Sequence, residues 1–372
     1  MIQRLSVLLA VCLGLASCGG GGSSSVPATQ NPASAIATTA PITPSATPTP
    51  SSGLAPTSLP LKVSAYTPTS SVDQSDAHVT ALTLPSGVAI PSAQIGPVHI
   101  FPVHPGVTAS VRARRPSTFV NSPFDVSYEG GVVIGGTVSH NIYITTNYQS
   151  CSSTCWGKPG QFLTDLGASQ FISHLDQYVG LNTPNRYTMG NSYSATQLLL
   201  SSNPGFRNPV MGQGEVLLWV WEVSQMAGHG YGHVFHVFLP PNLDTCIDFS
   251  SSCYSPDNPG TFKFCAYHGS VDYGGGVHLL YTVEPYQDVP GCGVTGGPNT
   301  QNGDDLIDST ASTLSHELFE TITDPDGASW YVYRNGQEIG DLCVGYLYSA
   351  NLNGTNYAVQ SEYSDVDHAC IN

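Results

Sequence analysis

The strongest periodic pattern of hydrophobic positions lies between residues 305 and 323. Its apolar residues recur at steps of four, three, four and four: Ile307, Ala311, Leu314, Leu318 and Ile322. Steps of this size place side chains on one stripe of a helix, so the pattern predicts a helix with one buried face. Asp324-Pro325 follows and ends it, because proline cannot continue a helix.

Several other segments carry weaker patterns. Residues 161–178 have apolar positions at roughly helical spacing and predict a second helix. Apolar or alternating runs predict strands at residues 139–148, 233–239 and 277–284. Residues 215–223 fit a buried strand or a short core helix equally well. Two dipeptides, Asn335-Gly336 and Asn353-Gly354, predict tight hairpin turns.

These elements predict an α+β or α/β fold in one domain over residues 122–372. Residues 62–121 contain short apolar stretches between prolines and predict an irregular or β-rich lead-in, or a pro-region. Arg112, Arg114 and Arg115 mark either a protease-sensitive junction or an exposed loop before the domain. Residues 18–61 consist largely of Gly, Ser, Thr and Pro and predict a disordered tether, since they cannot build a core.

The first seventeen residues have the features of a signal peptide. Arg4 precedes an apolar run from Leu5 to Leu15 that is too short to span a membrane. The string Leu15-Ala16-Ser17-Cys18 resembles the lipobox of bacterial lipoproteins, whose cysteine is lipidated; the alternative is an ordinary signal cleavage site. Lipid on Cys18 predicts an extracytoplasmic protein anchored to the outer membrane or cell surface.

Composition excludes one class of partner. The chain has 10 basic and 26 acidic residues and a formal net charge of -16, so it lacks the clustered positive charge that binds nucleic acid. Without Cys12 and Cys18, an even set of cysteines remains: Cys151, Cys155, Cys246, Cys253, Cys265, Cys292, Cys343 and Cys370. In an exported chain this predicts disulfides, with local pairs at Cys151/Cys155 and Cys246/Cys253. A thiolate zinc site fits the spacings less well.

The predicted helix at 305–323 carries the candidate chemistry. His316 and Glu320 are separated by four residues and lie on one face, where both can reach one metal ion, while Glu317 can reach a water bound to that ion. This HExxE pattern is that of HExxH metallopeptidases with Glu in place of the second His. Glu338 or Asp341, 18 and 21 residues beyond Glu320, would supply the third ligand.

Two alternatives apply to this helix. A solvated amphipathic helix would show the same polar face: Ser309, Thr313, His316 and Glu320. A set of two carboxylates and one imidazole also suits calcium or manganese besides zinc. Of the other histidines, His233 and His236 point to opposite faces of a strand and predict packed or surface positions. In the CxxH sequence at 265–268 we expect Cys265 in a disulfide, which leaves His268 as a further candidate site residue.

The string HELFETITDPDGASWYVYRNGQEIGDLC, from His316 to Cys343, resembles the phosphate-induced protein 1 (EXORDIUM-like) family, which reads roughly HELAE, TNP or TDP, AWY and EIGDLC. The segment CAYHGS at 265–270 and the ending VQSEYS with Cys370 are similar to further parts of that family. The resemblance implies a secreted, zincin-like domain with a mixed sheet and an active-site helix. It also implies a disulfide between Cys343 and Cys370 and a site of five residues: His316, Glu317, Glu320, Glu338 and Asp341.

The motif and the resemblance together predict a lipid-anchored zinc metallopeptidase-like protein. Its substrate would be a peptide or protein, with Glu317 as the base that activates the metal-bound water. The alternative is a non-catalytic secreted module that binds cell-wall glycan or a surface partner, with a structural metal or none.

Overall fold

Strands whose side chains are buried on both faces form the centre of the fold. The computed structural model describes residues 62–65, 79–83, 91–103, 109–110, 125–146, 155–180, 185–197, 204–300 and 305–371. The predicted signal peptide, Cys18, the tether, Cys151 and the arginines at 112–115 lie outside these residues. The described residues belong to a unit that runs from Pro56 to Asn372.

The described residues form twenty strands and four α-helices. The strands are β1 (Lys62–Ala65), β2 (Val79–Thr83), β3 (Gln94–Pro102), β4 (Ala109–Ser110), β5 (Ser127–Tyr128), β6 (Thr137–Thr146), β7 (Tyr187–Met189), β8 (Ser192–Gln197), β9 (Val210–Gly212), β10 (His233–Phe238), β11 (Asp244–Asp248), β12 (Ser252–Tyr254), β13 (Phe264–Asp272), β14 (His278–Glu284), β15 (Val294–Thr295), β16 (Trp330–Tyr331), β17 (Leu347–Leu352), β18 (Thr355–Gln360), β19 (Glu362–Ser364) and β20 (Ala369–Ile371). The helices are α1 (Pro159–Gly167), α2 (Asp176–Val179), α3 (Gln213–Ala227) and α4 (Leu306–Thr323), with 3-10 turns at Phe171–Leu175 and Asp341–Cys343.

Nine of these strands form one mixed sheet. Eight lie in the order β1-β2-β8-β6-β10-β14-β13-β3, and β7 pairs with one end of β6. The five strands from β2 to β14 run parallel, whereas β1, β13 and β3 add antiparallel pairings at the two ends. The prediction of a mixed α and β fold is confirmed as an α+β architecture with a large mixed sheet.

Alternation along the central strands divides the hydrophobic core into two layers. On β10, Val234 and Phe238 pack on the side of α1 and α4, while Phe235 and Val237 pack on the side of α3. All four side chains are buried, which contributes roughly 1.5–3 kcal/mol for each. Because side chains alternate with a period of two, His236 lies on the α4 side of the sheet.

The lead-in of residues 62–121 is not separate from the predicted domain. Its strand β3 pairs antiparallel with β13, and β2 pairs parallel with β8, so both belong to the central sheet. The compact unit that contains them runs from Pro56 to Asn372. The described residues of this segment include the four strands β1 to β4.

Two helix predictions change in detail. The predicted helix at 161–178 is broken into α1, a 3-10 turn and α2. The end of α1 is set by tertiary packing: a β-carbon on Gly167 would lie 2.2 Å from the carbonyl oxygen of Tyr187, so the backbone there packs directly against β7. The ambiguous segment 215–223 is helical and forms part of α3. Its first turn is stabilised by the Gly212 N–H, which donates to Glu215 Oε2 at 2.8 Å.

Helix α4 occupies the predicted residues, but its polar face is not solvated. Every residue of α4 except Ile307 is buried, including Ser309 and Thr313. His316 is 0% exposed and Glu320 is 1% exposed. The helix packs against β13 and β14 on one side and against β18 on another. The alternative of a solvated amphipathic helix is therefore wrong, and the polar side chains of α4 require partners inside the protein.

The two Asn-Gly pairs behave differently. Asn353 and Gly354 have φ of 49° and 94° and join β17 to β18 in a two-residue turn, as predicted. This conformation is the type I′ geometry that matches the twist of a hairpin. Asn335 and Gly336 also lie in a turn, but no hairpin flanks them, because β16 pairs with β5 instead.

Three disulfides link described residues: Cys246–Cys253, Cys265–Cys292 and Cys343–Cys370. The first is the predicted local pair, the second places Cys265 in a disulfide as expected, and the third is the pairing that the family resemblance implies. These bonds are consistent with an extracytoplasmic location. None of the helices within the described ranges is long and apolar enough to cross a membrane.

Replacement of Cys343 and Cys370 by alanine is expected to destabilise the protein more than the same change at Cys246 and Cys253. The two bonds close loops with sequence separations of 27 and 7 residues. Loop-closure entropy then predicts losses of about 3.5 and about 2.4 kcal/mol in the free energy of unfolding. Urea unfolding of both double variants measures the difference. An equal or larger loss for the short loop would contradict the prediction.

Candidate metal centre

The centre is built around two side chains of α4. His316 Nε2 and Glu320 Oε2 lie 3.1 Å apart, as expected for positions i and i+4 on one helix face. The other oxygen of Glu320 accepts a hydrogen bond from the Asp341 N–H at 2.9 Å. Gly340 makes this approach possible, because a β-carbon there would lie 2.5 Å from His316 Nδ1. The EIGD segment therefore lies directly against the helix.

Glu317 lies beside His268, which comes from β13. The His268 Nδ1 and Glu317 Oε2 atoms form a hydrogen bond of 3.0 Å, and Nδ1 is 3.8 Å from Glu320 Oε2. His268, which the CxxH spacing identifies only as a further candidate, thus contacts both carboxylates of the HExxE motif. We call His99, His268, His316, Glu317, Glu320, Glu338 and Asp341 the cluster. Burial, followed by the nearby His99, lowers the pKa of His268 to about 3, so its ring is neutral.

His99 on β3 is a member of the cluster that the sequence does not identify. It lies directly opposite His268 in the β3–β13 register, and the two rings stack with centroids 5.1 Å apart. Its Nδ1 atom is 2.9 Å from Glu338 Oε2, and Glu338 Oε2 is 3.7 Å from His268 Nε2. In the sequence, His99 lies within an apolar stretch. Only the pairing of two strands distant in sequence brings it to the site.

Further polar groups surround these residues. The Gln360 side-chain nitrogen lies 2.9 Å from His316 Nδ1 and also donates to the Gly340 carbonyl at 2.9 Å, which holds the His316 ring in place. Glu284 accepts a hydrogen bond from Thr282 Oγ1 at 2.9 Å. Sequence reasoning missed Gln360 and Glu284, because nothing in their local sequences distinguishes them from ordinary strand residues.

Negative charge around the C-terminal half of α4 is not balanced by buried lysine or arginine side chains of the described residues. The buried acidic residues on and around α4 include Glu284, Glu317, Glu320, Asp324, Glu338 and Glu362, besides Asp305 and Asp308 at its N-terminal end. The buried polar side chains of the described residues include no lysine or arginine. Several buried atoms also lack a hydrogen-bond partner: His268 Nε2, His316 Nε2, Glu317 Oε1 and both carboxylate oxygens of Glu338 and of Glu362. Buried charges are normally paired or bound to a metal, so the cluster fits a cation.

Burial and neighbouring charges shift the pKa values of the ionisable side chains in the cluster. Burial and nearby carboxylates raise the pKa of Glu317 and of Glu338 well above the ordinary value. Burial and the charge of Glu320 raise the pKa of Asp341 to about 7. Burial also acts to raise the pKa of Glu320, but His316 beside it holds that pKa below its usual value. Against the effect of burial, Glu320 in turn raises the pKa of His316.

Among the described residues, three groups of side chains could hold a metal ion, with ligand atoms within 4.8 Å of one another in each group. They are His316, Glu320 and Asp341; His268, Glu317 and Glu320; and His99, His268 and Glu338. The predicted site residues therefore converge, although Glu338 and Asp341 fall in different groups.

The histidines of β10 are not part of the centre. His236 is fully buried and lies within hydrogen-bond distance of Ser139 Oγ at 3.0 Å and Thr282 Oγ1 at 2.9 Å. His233 Nδ1 lies 3.1 Å from His140 Nε2 near the other end of the strand. Both are packed histidines, as their spacing on a strand predicts.

The Glu284→Gln variant is expected to remove part of the pH dependence of stability. Burial raises the pKa of Glu284 to about 8, whereas the unfolded chain releases this proton near pH 4.3. Below pH 4 both states are protonated and the group has no effect. Between these two pKa values the folded state alone keeps the proton, so wild-type stability falls as pH rises.

In urea unfolding with a chelator present, Glu284→Gln should gain about 2 kcal/mol or more over wild type at pH 8.5 and little at pH 4. The exposed Glu129→Gln change is the matched control. Parallel pH profiles for wild type and Glu284→Gln would contradict the prediction.

Comparison of the chain with protein-family models, with curated proteins and with solved structures gave no match.

Proposed function

We propose that the protein is a metal-dependent hydrolase of peptide bonds whose cation is held by His316, Glu320 and Asp341. One observation carries the proposal: the HExxE face of α4 is buried among carboxylates and imidazoles, and no buried lysine or arginine of the described residues neutralises the carboxylates. The ligand atoms of these three side chains already converge within 4.8 Å. A divalent cation would neutralise the charges that burial otherwise makes costly.

Zinc is the cation that we favour, because one imidazole and two carboxylates can leave a coordination position open. Such an ion would acidify a water molecule and polarise a peptide carbonyl. Calcium and manganese also accept carboxylate oxygens. Measured metal content distinguishes these ions.

Glu317 is the proposed general base. It follows His316 directly on α4, and its Oε2 atom is held by the hydrogen bond to His268 while Oε1 has no hydrogen-bond partner. A base must be unprotonated, yet burial and the neighbouring carboxylates raise the pKa of Glu317. The positive charge of an adjacent cation would oppose this effect and favour the carboxylate.

Access to the centre would pass the two members of the cluster that are not fully buried. The side chain of His99 is 20% exposed, and Asp341 is also partly exposed. His99 belongs to β3, the last strand on its side of the sheet. A peptide substrate would therefore approach from this edge. We further propose that the enzyme acts outside the cytoplasm, anchored through lipid on Cys18.

A second candidate function is a non-catalytic module in which the metal is structural. The burial of His268, His316 and Glu317, each 0% exposed, favours it, because a structural site has no need of substrate access. The two candidates differ in what they require of Glu317. A structural role needs its charge and position, but not its capacity to accept a proton.

The proposal is tested by hydrolysis of a peptide library with the purified protein. We expect cleavage by protein supplied with zinc, loss of cleavage with a chelator, and recovery when zinc is restored. Protein carrying His316→Ala is the matched inactive control, whereas His278→Ala, on β14 outside the cluster, should remain active. Cleavage that persists in His316→Ala would contradict the proposed site.

A further inference from the structure

The cluster contains more metal-binding groups than one ion uses. It brings together three imidazoles and four carboxylates: His99, His268, His316, Glu317, Glu320, Glu338 and Asp341. A catalytic zinc ion takes three protein ligands and a water molecule. The remaining groups require another explanation, because a surplus of buried carboxylates raises the energy of the folded state.

Glu338 and Asp341 do not compete for one position. Asp341 groups with His316 and Glu320, whereas Glu338 groups with His99 and His268. The two trios share no residue. The sequence leaves a choice between Glu338 and Asp341 as the third ligand, and the structure instead places them at two neighbouring points.

The orientation of His268 supports a second ion on the Glu338 side. Its Nδ1 atom is hydrogen-bonded to Glu317 Oε2. With Glu317 as the carboxylate that an adjacent cation favours, Nδ1 donates its proton to Oε2 and the lone pair of the neutral ring lies on Nε2. His268 Nε2 has no hydrogen-bond partner and lies 3.7 Å from Glu338 Oε2. Metal-binding histidines commonly donate their other ring N–H to a carboxylate in this way.

The environment of Glu338 independently indicates a second metal ion. It is 0% exposed, and neither of its carboxylate oxygens has a hydrogen-bond partner. His99 Nδ1 approaches Glu338 Oε2 to 2.9 Å, but the two do not meet hydrogen-bond geometry. A fully buried carboxylate that lies 2.9 Å and 3.7 Å from two imidazole nitrogens, with no hydrogen bond to stabilise it, is expected where all three bind one cation.

We propose that His99, His268 and Glu338 form a second metal site beside the one at His316, Glu320 and Asp341. Two imidazoles and one carboxylate are a ligand set that zinc favours. The two-ion part of this inference rests on the proposed function, which places the first ion on α4. Paired metal sites are a known way to orient the two oxygens of a hydrolytic reaction.

Metal content of the full chain, measured by mass spectrometry after equilibration with zinc and removal of free metal, tests the inference. We expect two zinc ions per chain in wild type and about one in each of His99→Ala and His316→Ala. His99 lies on an edge strand and is partly exposed, so its replacement is compatible with folding, which circular dichroism checks. His278→Ala should keep two ions.

The other possible metal contents distinguish the second metal site from the proposed site on α4. One ion in wild type that is retained in His99→Ala and lost in His316→Ala would overturn the second site and leave the proposed function intact. One ion that is lost in His99→Ala and retained in His316→Ala would overturn the α4 site. Wild-type protein without zinc would overturn both.

Discussion

Replacement of Glu317 by glutamine is expected to lower kcat/KM for peptide hydrolysis by roughly 10²–10⁴-fold, which is the range that a general base contributes. The substitution keeps the size of the side chain, and the amide can still accept a hydrogen bond from His268 Nδ1 through its oxygen. The metal trio of His316, Glu320 and Asp341 does not include Glu317, so metal content should remain at the wild-type value.

A matched control for this result is Glu362→Gln. Glu362 is also buried and near the cluster, but it belongs to none of the three candidate groups. We expect this variant to retain hydrolysis. If Glu317→Gln keeps its metal and all of its activity, the peptidase proposal is wrong and the structural role of the metal is favoured.

Removal of the metal by a chelator is expected to lower the Tm of the wild-type protein by about 10 °C. Free zinc at about 1,000 times Kd contributes about 4 kcal/mol to the free energy of unfolding. In a domain of this size, about 1 kcal/mol shifts Tm by about 2–4 °C. The cation also relieves repulsion among carboxylates that otherwise face one another in the core.

Glu320→Gln should weaken this response, because Glu320 belongs to two of the three candidate groups. Its Tm is expected to change less with the chelator than that of wild type, as differential scanning calorimetry can measure. His278→Ala, outside the cluster, should respond as wild type does. An equal shift in Glu320→Gln and wild type would show that the stabilising metal binds elsewhere.

Local signals in the sequence predict much of the fold. The bounds of α4, the strand β10, the Asn353-Gly354 turn and the Cys246–Cys253 pair follow from periodicity, turn chemistry and close spacing. Each depends on residues near one another in the chain. The break between α1 and α2 does not follow, because it depends on the packing of Gly167 against β7.

Only part of the candidate site can be predicted from the sequence, because the rest depends on contacts between residues distant in the chain. The pairing of His316 with Glu320 can be predicted, because positions i and i+4 lie on the same face of a helix. His99 and His268 become neighbours through the β3–β13 register, and no local pattern encodes that register. The burial of the polar face of α4 is also a tertiary property, because helical spacing is the same for a solvated and a buried face.

We expect His316 and Glu320 of α4 to bind a divalent metal ion. The most direct measurement is anomalous X-ray scattering at the zinc edge from crystals of the protein equilibrated with zinc. A zinc ion bound there would give a peak about 2.0–2.2 Å from His316 Nε2 and from a Glu320 carboxylate oxygen. A map with no anomalous peak at these two side chains would contradict it.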